Sequence, residues 1–349
     1  MAAVDGARLA VLVVTHLPNI RYLSGFSGSA GVLVVCGRES QLFTDCRYTE
    51  QVREEVNGVR VHIVREPALL AAADWLQKHR SLRRIGIEAA RMSVADRDSL
   101  GKLLGSGGRL VPSGNTIERM RVIKDADEIA RIRRACQIGT NLFPGLLDAI
   151  RPGVSELQVA GGLEFEARKA GADQMSFPTI IAGGARSALP HGRASAKPIP
   201  RKGFVVCDFG VILAGYCSDM TRTVHVGLPT IAARQVYEAI REAQQAAVEA
   251  VRPGVTVGEV DSAIRKLLKK KSLAKYFTHS TGHGVGLEIH EAPKVAAGQK
   301  EALQPGMVIT IEPGVYMPSR WGVRIEDTVV VTETGCEILT PCPKSLITV

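Results

Sequence analysis

The chain reads as a two-domain protein: a small N-terminal α/β domain over 1–117, then a larger domain over 118–349 of mixed α/β and α+β character, made of two similar halves. Three features predict this. Over about the first 115 residues, strand-length apolar runs alternate with helix-like stretches. The tetrapeptide Arg151-Pro152-Gly153-Val154 returns as Arg252-Pro253-Gly254-Val255. Each copy is followed at similar distance by an apolar run ending in acid-x-Gly, first Asp208-Phe209-Gly210 and then Glu312-Pro313-Gly314.

Within the first domain, strands are expected at Arg8–Thr15, Gly31–Gly37, Gln41–Asp45, Val59–Arg65 and Arg84–Glu88. Helices are expected at Tyr48–Val56, Pro67–His79 and Ser93–Leu104. A boundary follows in Ser113–Arg121, after which Lys124-Asp125-Ala126-Asp127-Glu128 opens a long helix. Its acidic first turn suits the positive end of a helix dipole.

In the second domain, long helices at Asp125–Ile150 and Pro229–Val251 each run into an Arg-Pro-Gly-Val copy. Pro and Gly stop the helix there, and Ser155 or Thr256 is placed to cap the next one, Ser155–Ala170 or Thr256–Lys271. Further on, Gly203–Gly210 parallels Gly306–Gly314. Each run turns into a second strand with its own acid, at Asp219-Met220-Thr221 and at Glu326-Asp327-Thr328. Folding the halves about a pseudo-twofold axis brings four carboxylates together.

Composition narrows the functional classes. With 45% hydrophobic and 23% charged residues, the chain suits a folded globular protein. The net charge of +9 draws attention to Lys269-Lys270-Lys271. That run lies on an amphipathic stretch with Ile264, Leu267 and Leu268, so it reads as a solvated helix face, and no nucleic-acid partner is expected. No membrane partner is expected either, since runs such as Leu9–Thr15 are far short of a bilayer span. The opening Met1–Gly6 lacks the layout of a signal peptide, and the seven scattered cysteines form no Cys-x-x-Cys pair. Reduced thiols and a cytoplasmic location are the expectation.

Four carboxylates converging in a dry interior repel one another unless they are protonated or bound to cations. Two divalent ions are the natural counter-charge. The glycine-rich segment Phe277–Gly286 offers nitrogen ligands at His279 and His283, and His290-Glu291 follows. Reading Val323–Val329 as one strand puts Arg324, Glu326 and Thr328 on one face, so that Arg324 can orient a ligand while Asp327 points away.

Together, Asp208-Phe209-Gly210, Gly215–Thr223, Gly282-His283-Gly284-Val285-Gly286, His290-Glu291-Ala292-Pro293, Ile311–Gly314 and Arg324–Asp327 resemble the pita-bread metallopeptidases of family M24, in the aminopeptidase P and prolidase branch. Tyr22–Gly31 and Thr44–Tyr48 are similar to the creatinase-like N-terminal domain of that branch. The resemblance implies five metal ligands, Asp208, Asp219, His283, Glu312 and Glu326, for two divalent ions. Asp219 and Glu326 would bridge, His283 and Glu312 would serve one ion, and Asp208 the other. Mn2+ is the usual activator in this branch, with Co2+ or Zn2+ as alternatives. Phe204 departs from relatives that carry an acid before the first metal strand.

The resemblance further implies hydrolysis of Xaa-Pro bonds in proline-containing peptides. Glu312 would act as general base, His290 and His279 would assist at the reacting carbonyl, and His191, His279, His290 and Arg324 would line the substrate site. A homodimer is expected by the same analogy. Aminopeptidase P action on longer peptides leads, on the Phe26–Gly31 stretch, with prolidase action on dipeptides as the alternative. Methionine aminopeptidase is disfavoured by the large N-terminal domain. A metal-free creatine hydrolase or a protein-binding module of this fold would have lost ligands that this chain keeps.

Overall fold

The apolar runs of the N-terminal stretch form one six-stranded sheet. Its strands are β1 (Val11–Val14), β2 (Val32–Cys36), β3 (Ser40–Asp45), β4 (Val59–Val64), β5 (Ile85–Glu88) and β6 (Leu110–Ser113), ordered β4-β3-β2-β1-β5-β6. The computed structural model describes residues 9–37, 39–79, 81–82, 84–105 and 110–349. The chain divides into two compact units, Met1–Arg121 and Val122–Val349.

In the first unit, β1, β5 and β6 run parallel, as do β3 and β4, while the β1–β2 and β2–β3 pairs are antiparallel. The helices are α1 (Leu17–Ser24), α2 (Gln51–Glu55), α3 (Ala68–Lys78), α4 (Val94–Leu103) and α5 (Thr116–Val122), the last running on to the first residue of the second unit. Because side chains alternate across a strand, Val11 and Val13 enter one apolar cluster with α3 and α4, whereas Leu12 and Val14 enter another with α1. The helix expected over Tyr48–Val56 is shorter. Asp45 accepts from the Arg47 amide and starts a 3-10 turn at Cys46–Tyr48, and α2 begins only at Gln51.

The second unit carries the duplication in its hydrogen bonds. Its helices are α6 (Ala126–Ala149), α7 (Glu156–Lys169), α8 (Ile231–Ala250) and α9 (Val257–Lys270). Both Arg-Pro-Gly-Val turns use a left-handed glycine, Gly153 at φ 90° and Gly254 at φ 83°. Gly153 N donates to Ile199 O and Ile199 N returns a bond to Val154 O. In the other half, Gly254 N donates to Leu303 O and Leu303 N to Val255 O. Ser155 and Gln158 close a capping box on α7, as Thr256 and Glu259 do on α9. Each cap contributes about 1 kcal/mol.

The strands of this unit are β7 (Gln174–Met175), β8 (Ile180–Gly183), β9 (Gly203–Phe209), β10 (Val211–Leu213), β11 (Tyr216–Cys217), β12 (Met220–Val226), β13 (Gly282–Gly284), β14 (Glu291–Val295), β15 (Val308–Ile311), β16 (Gly314–Met317), β17 (Trp321–Arg324), β18 (Asp327–Val331) and β19 (Cys336–Ile338). They form sheets ordered β12-β9-β8, β11-β10-β7, β14-β13-β15-β18-β19 and β16-β17. The antiparallel pairs β9–β12 and β15–β18 are the central hairpins of the two halves. Helices α8 and α9 pack on the second of these through Ile240, Ala243, Val260 and Ile264. No helix among the described residues is long and apolar enough to cross a membrane.

Candidate metal centre

The two central hairpins deliver the acids. Asp208 lies in β9 opposite Thr221, and Asp219 immediately precedes β12. In the other half, Ile311 lies opposite Asp327, so Glu312 and Glu326 stand just beyond the last rung of their ladder. The single strand expected over Val323–Val329 is broken at Ile325-Glu326, between β17 and β18. The break leaves the facing intact: Arg324 bonds Asp208, and Glu326 accepts from Thr221 Oγ1 at 2.6 Å. Asp327 points elsewhere, into a cluster with Arg222, Gln244 and Lys344.

Strand β13 places His283, and its glycines have a steric reason. A Cβ at Gly282 would collide with the Thr310 carbonyl oxygen, and one at Gly284 with that of Ala292. Only glycine lets the strand run this close between β14 and β15. His283 Nδ1 lies 3.0 Å from Gly284 O, an acceptor only, so the proton sits on Nδ1. The Nε2 lone pair then faces Asp219 Oδ2 at 3.6 Å and Glu312 Oε1 at 3.5 Å. Burial, then the neighbouring His290, lowers the His283 pKa to about 4, so the ring is neutral at pH 7. Ligand atoms of Asp219, His283 and Glu326 all lie within 4.8 Å of one another.

The four carboxylates share a single guanidinium, that of Arg324. Burial and the Glu326 charge push Asp219 and Glu312 well above the usual range, and burial with Asp208 pushes Glu326 up to about 8. Asp208 Oδ1 is buried and has no hydrogen-bond partner among the described residues. Arg324 answers the four acids with one guanidinium, giving NH2 to Asp208, Nε to Thr221 Oγ1 at 3.1 Å, and NH1 to Tyr316 Oη at 2.6 Å and Pro190 O at 3.0 Å. An orphaned carboxylate oxygen, three carboxyls raised by burial and by one another's charge, and a neutral imidazole lone pair fit a pair of divalent cations.

The remaining candidates surround the same cavity, of about 680 Å³, which Asp208, Asp219, His283, Glu312 and Glu326 all line. His279 is half-buried, with Nδ1 2.7 Å from Ser280 O and Nε2 3.1 Å from Tyr316 Oη. Burial, then Arg324, lowers its pKa to about 4, so Nε2 accepts from the tyrosine. The His290 ring stands edge-on to that of His283 at 4.3 Å between centroids. His191 is exposed on the cavity wall. Tyr316, which the sequence reading did not single out, joins His279 to Arg324. Its signal was its position two residues after Gly314, in a run alternating with buried Val315. Arg193 and Lys294, also not singled out, are exposed cations on the lining.

Comparison with known proteins gives the family. A match to the Creatinase/Prolidase N-terminal domain spans residues 2–123, and one to metallopeptidase family M24 spans residues 130–333. The Xaa-Pro dipeptidase of Pyrococcus horikoshii is 38% identical over 339 residues, 97% of this chain and 94% of that protein. The structure of an Xaa-Pro dipeptidase from Bacillus anthracis matches with a TM-score of 0.96 at 39% identity, covering 100% of this chain and 97% of that one. That of an X-Pro aminopeptidase from Thermotoga maritima has a TM-score of 0.91 at 33% identity, covering 100% of both chains. The resemblance read from the motifs is borne out along the whole length: the chain belongs to metallopeptidase family M24, with a creatinase-type domain before a pita-bread domain.

Proposed function

We propose that this protein is a two-metal exopeptidase hydrolysing Xaa-Pro bonds, with Asp208, Asp219, His283, Glu312 and Glu326 holding its two ions. The observation that carries this reading is the set of four inward-facing acids with one guanidinium to balance them. Mn2+ is the proposed activator, with Co2+ or Zn2+ as alternatives. When bound, the ions would supply Lewis acidity and make a water acidic near neutral pH.

The chain's own groups then divide the work. Glu312 takes a proton from the attacking water and returns it to the proline nitrogen. His290 donates to the carbonyl oxygen as it gains charge, and His279, both of whose ring nitrogens are engaged by Ser280 O and Tyr316 Oη, lines the site and steadies Tyr316 beside Arg324. Arg324 keeps Asp208 turned toward the site. Phe177, Pro178 and Ile289 give the cavity an apolar wall suited to a pyrrolidine ring.

Two observations favour dipeptides over the longer peptides that the sequence reading put first. Two of the relatives described above are named Xaa-Pro dipeptidases. Arg193 and Lys294 also set two cations on the cavity lining, where a dipeptide would carry its C-terminal carboxylate. The test is amino-acid release from Ala-Pro, Ala-Pro-Ala and Ala-Ala-Ala by the manganese-loaded protein. Release from Ala-Pro well above that from Ala-Pro-Ala is the expected result. The reverse would restore the aminopeptidase reading, and cleavage of Ala-Ala-Ala alone would overturn the proline assignment.

The raised carboxyls set a pH dependence for the metal-free protein. Glu326 has a folded pKa of about 8 against about 4.3 unfolded. Its contribution to stability is therefore full below about 4.3 and is lost as pH rises through about 8. Chelator-treated protein is expected to melt at lower temperature at pH 8 than at pH 5.5. Saturating Mn2+ should give its largest rise in Tm at the alkaline end. A metal-induced shift that shrinks between pH 5.5 and 8 would contradict the site. Seven free thiols support a reducing, cytoplasmic setting. The homodimer carries over from the family and is checked by sedimentation.

A further inference from the structure

We propose that Lys124 and Glu291 are positioning residues that aim His290 into the site; the idea rests on the reading of His290 as a group that touches substrate. Lys124 Nζ lies 2.7 Å from Glu291 Oε1, and the two side chains are 1% and 6% exposed. Such a pair gives little net stability over an apolar replacement, because desolvation offsets the attraction, and its best-attested use is to fix register. Both ends here are built for that. The Lys124 amide donates to Gly306 O at 2.9 Å, Nζ also reaches Val122 O at 3.3 Å, and neighbouring Ile123 bridges to Met307. The ammonium is thereby fixed to the base of β15.

At the other end, Glu291 is the first residue of β14 and directly follows His290. A Cβ at Gly286 would collide with Glu291 Oε1, so the glycine makes room for the carboxylate. The 286–290 turn is folded around it, with Gly286 N donating to Glu288 O at 3.1 Å and Gly286 O accepting from Cys217 N at 2.8 Å. The β13–β14 register also shifts at this point: His283 faces Lys294, yet Gly284 faces Glu291. Ala292 and Pro293 are thus the extra residues of a bulge, a device that re-aims neighbouring side chains. Glu291 roots the bulge, and His290 is the side chain it re-aims, edge-on to His283.

The test compares Lys124→Met, Lys124→Arg, His290→Ala, Lys124→Met/His290→Ala and Lys124→Met/Glu291→Leu in the full chain loaded with Mn2+. On that form kcat, KM, Tm and Mn2+ affinity are measured; the histidine Cε1–H resonances are read on the chelator-treated chains, because paramagnetic Mn2+ would broaden protons this close to it. Lys124→Met is expected to lower kcat/KM by about 10- to 100-fold, with Lys124→Arg recovering most of it. Mn2+ affinity should stay within about twofold, and the His290 resonance should move. Lys124→Met/Glu291→Leu should regain Tm without regaining kcat/KM. On a His290→Ala background, Lys124→Met should cost no more than about twofold further. Activity returning with Tm in the double variant, or multiplying losses with His290→Ala, would overturn the proposal. If the unmodified protein cleaves no Xaa-Pro peptide, the functional reading fails by itself. The His290 resonance then decides: displaced in Lys124→Met/Glu291→Leu, it supports the positioning role; unmoved, it removes it.

Discussion

Asp219→Asn should lose about 10³-fold or more in kcat/KM and its stoichiometric metal, while the metal-free variant melts no lower than the metal-free wild type. Stabilising transition-state charge by a bound ion contributes several kcal/mol, and each 1.36 kcal/mol is a factor of ten. The opposite sign for stability comes from the empty site. Asp219 is 5% exposed, and burial and then Glu326, Asp208 and Glu312 all disfavour its charge. An amide of the same shape removes one of the repelling groups and keeps the bond that Thr328 Oγ1 gives to the residue's backbone oxygen at 2.8 Å. Turnover, calorimetric Mn2+ titration and melting in chelator measure the three quantities. Full activity with stoichiometric metal would remove Asp219 from the site.

The second large effect concerns stability. Asp327→Ala should lower the melting temperature by roughly 6–20 °C, from the loss of about 3–5 kcal/mol when one partner of a buried ion pair is removed and about 2–4 °C per kcal/mol for a unit of this size. Asp327 accepts from Arg222 at 2.7 Å and Thr340 Oγ1 at 3.2 Å on one oxygen, and from Lys344 at 2.7 Å and Gln244 at 2.9 Å on the other. Arg222 is 1% exposed and also gives NH2 to the Thr340 and Cys342 carbonyls. Without the carboxylate, that guanidinium and the Lys344 ammonium keep only neutral partners and lose their counter-charge. Burial would raise the Asp327 pKa, but Arg222 and Lys344 outweigh it and hold it below the usual range. Its contribution is therefore present above about pH 3.9 and fades as pH falls through the lower folded value. The variant should show a correspondingly weaker acid limb in its stability profile. A melting temperature within about 2 °C of wild type would mean that the cluster is dispensable.

Much of this was legible in the amino-acid order because it rests on local chemistry. The caps at Ser155 and Thr256, the paired glycine turns and the acid-ended strands are short-range signals, and repetition doubled them. Helix α1 was missed for a physical reason: His16 gives no side-chain cap, the start rests on Pro18, and Gly25 ends it after eight residues. Strand β6 lacks alternation, with Pro112 inside it at the sheet edge. The roles of Arg222 and Tyr316 were hard to read, since the partners of Arg222 lie far away in sequence and that of Tyr316 depends on where Arg324 points. The break between β17 and β18 was likewise hidden. Alternation alone runs straight through Ile325-Glu326, and only the three-dimensional junction of two sheets requires a corner there.

The duplicated plan also governs when the enzyme can mature. Asp208 and Asp219 belong to the first half, whereas His283, Glu312 and Glu326 belong to the second. During synthesis the first two acids emerge before the other three proposed ligands, and Glu326 is the last of the five to be made. On the proposed ligand set, metal loading waits until both halves have docked.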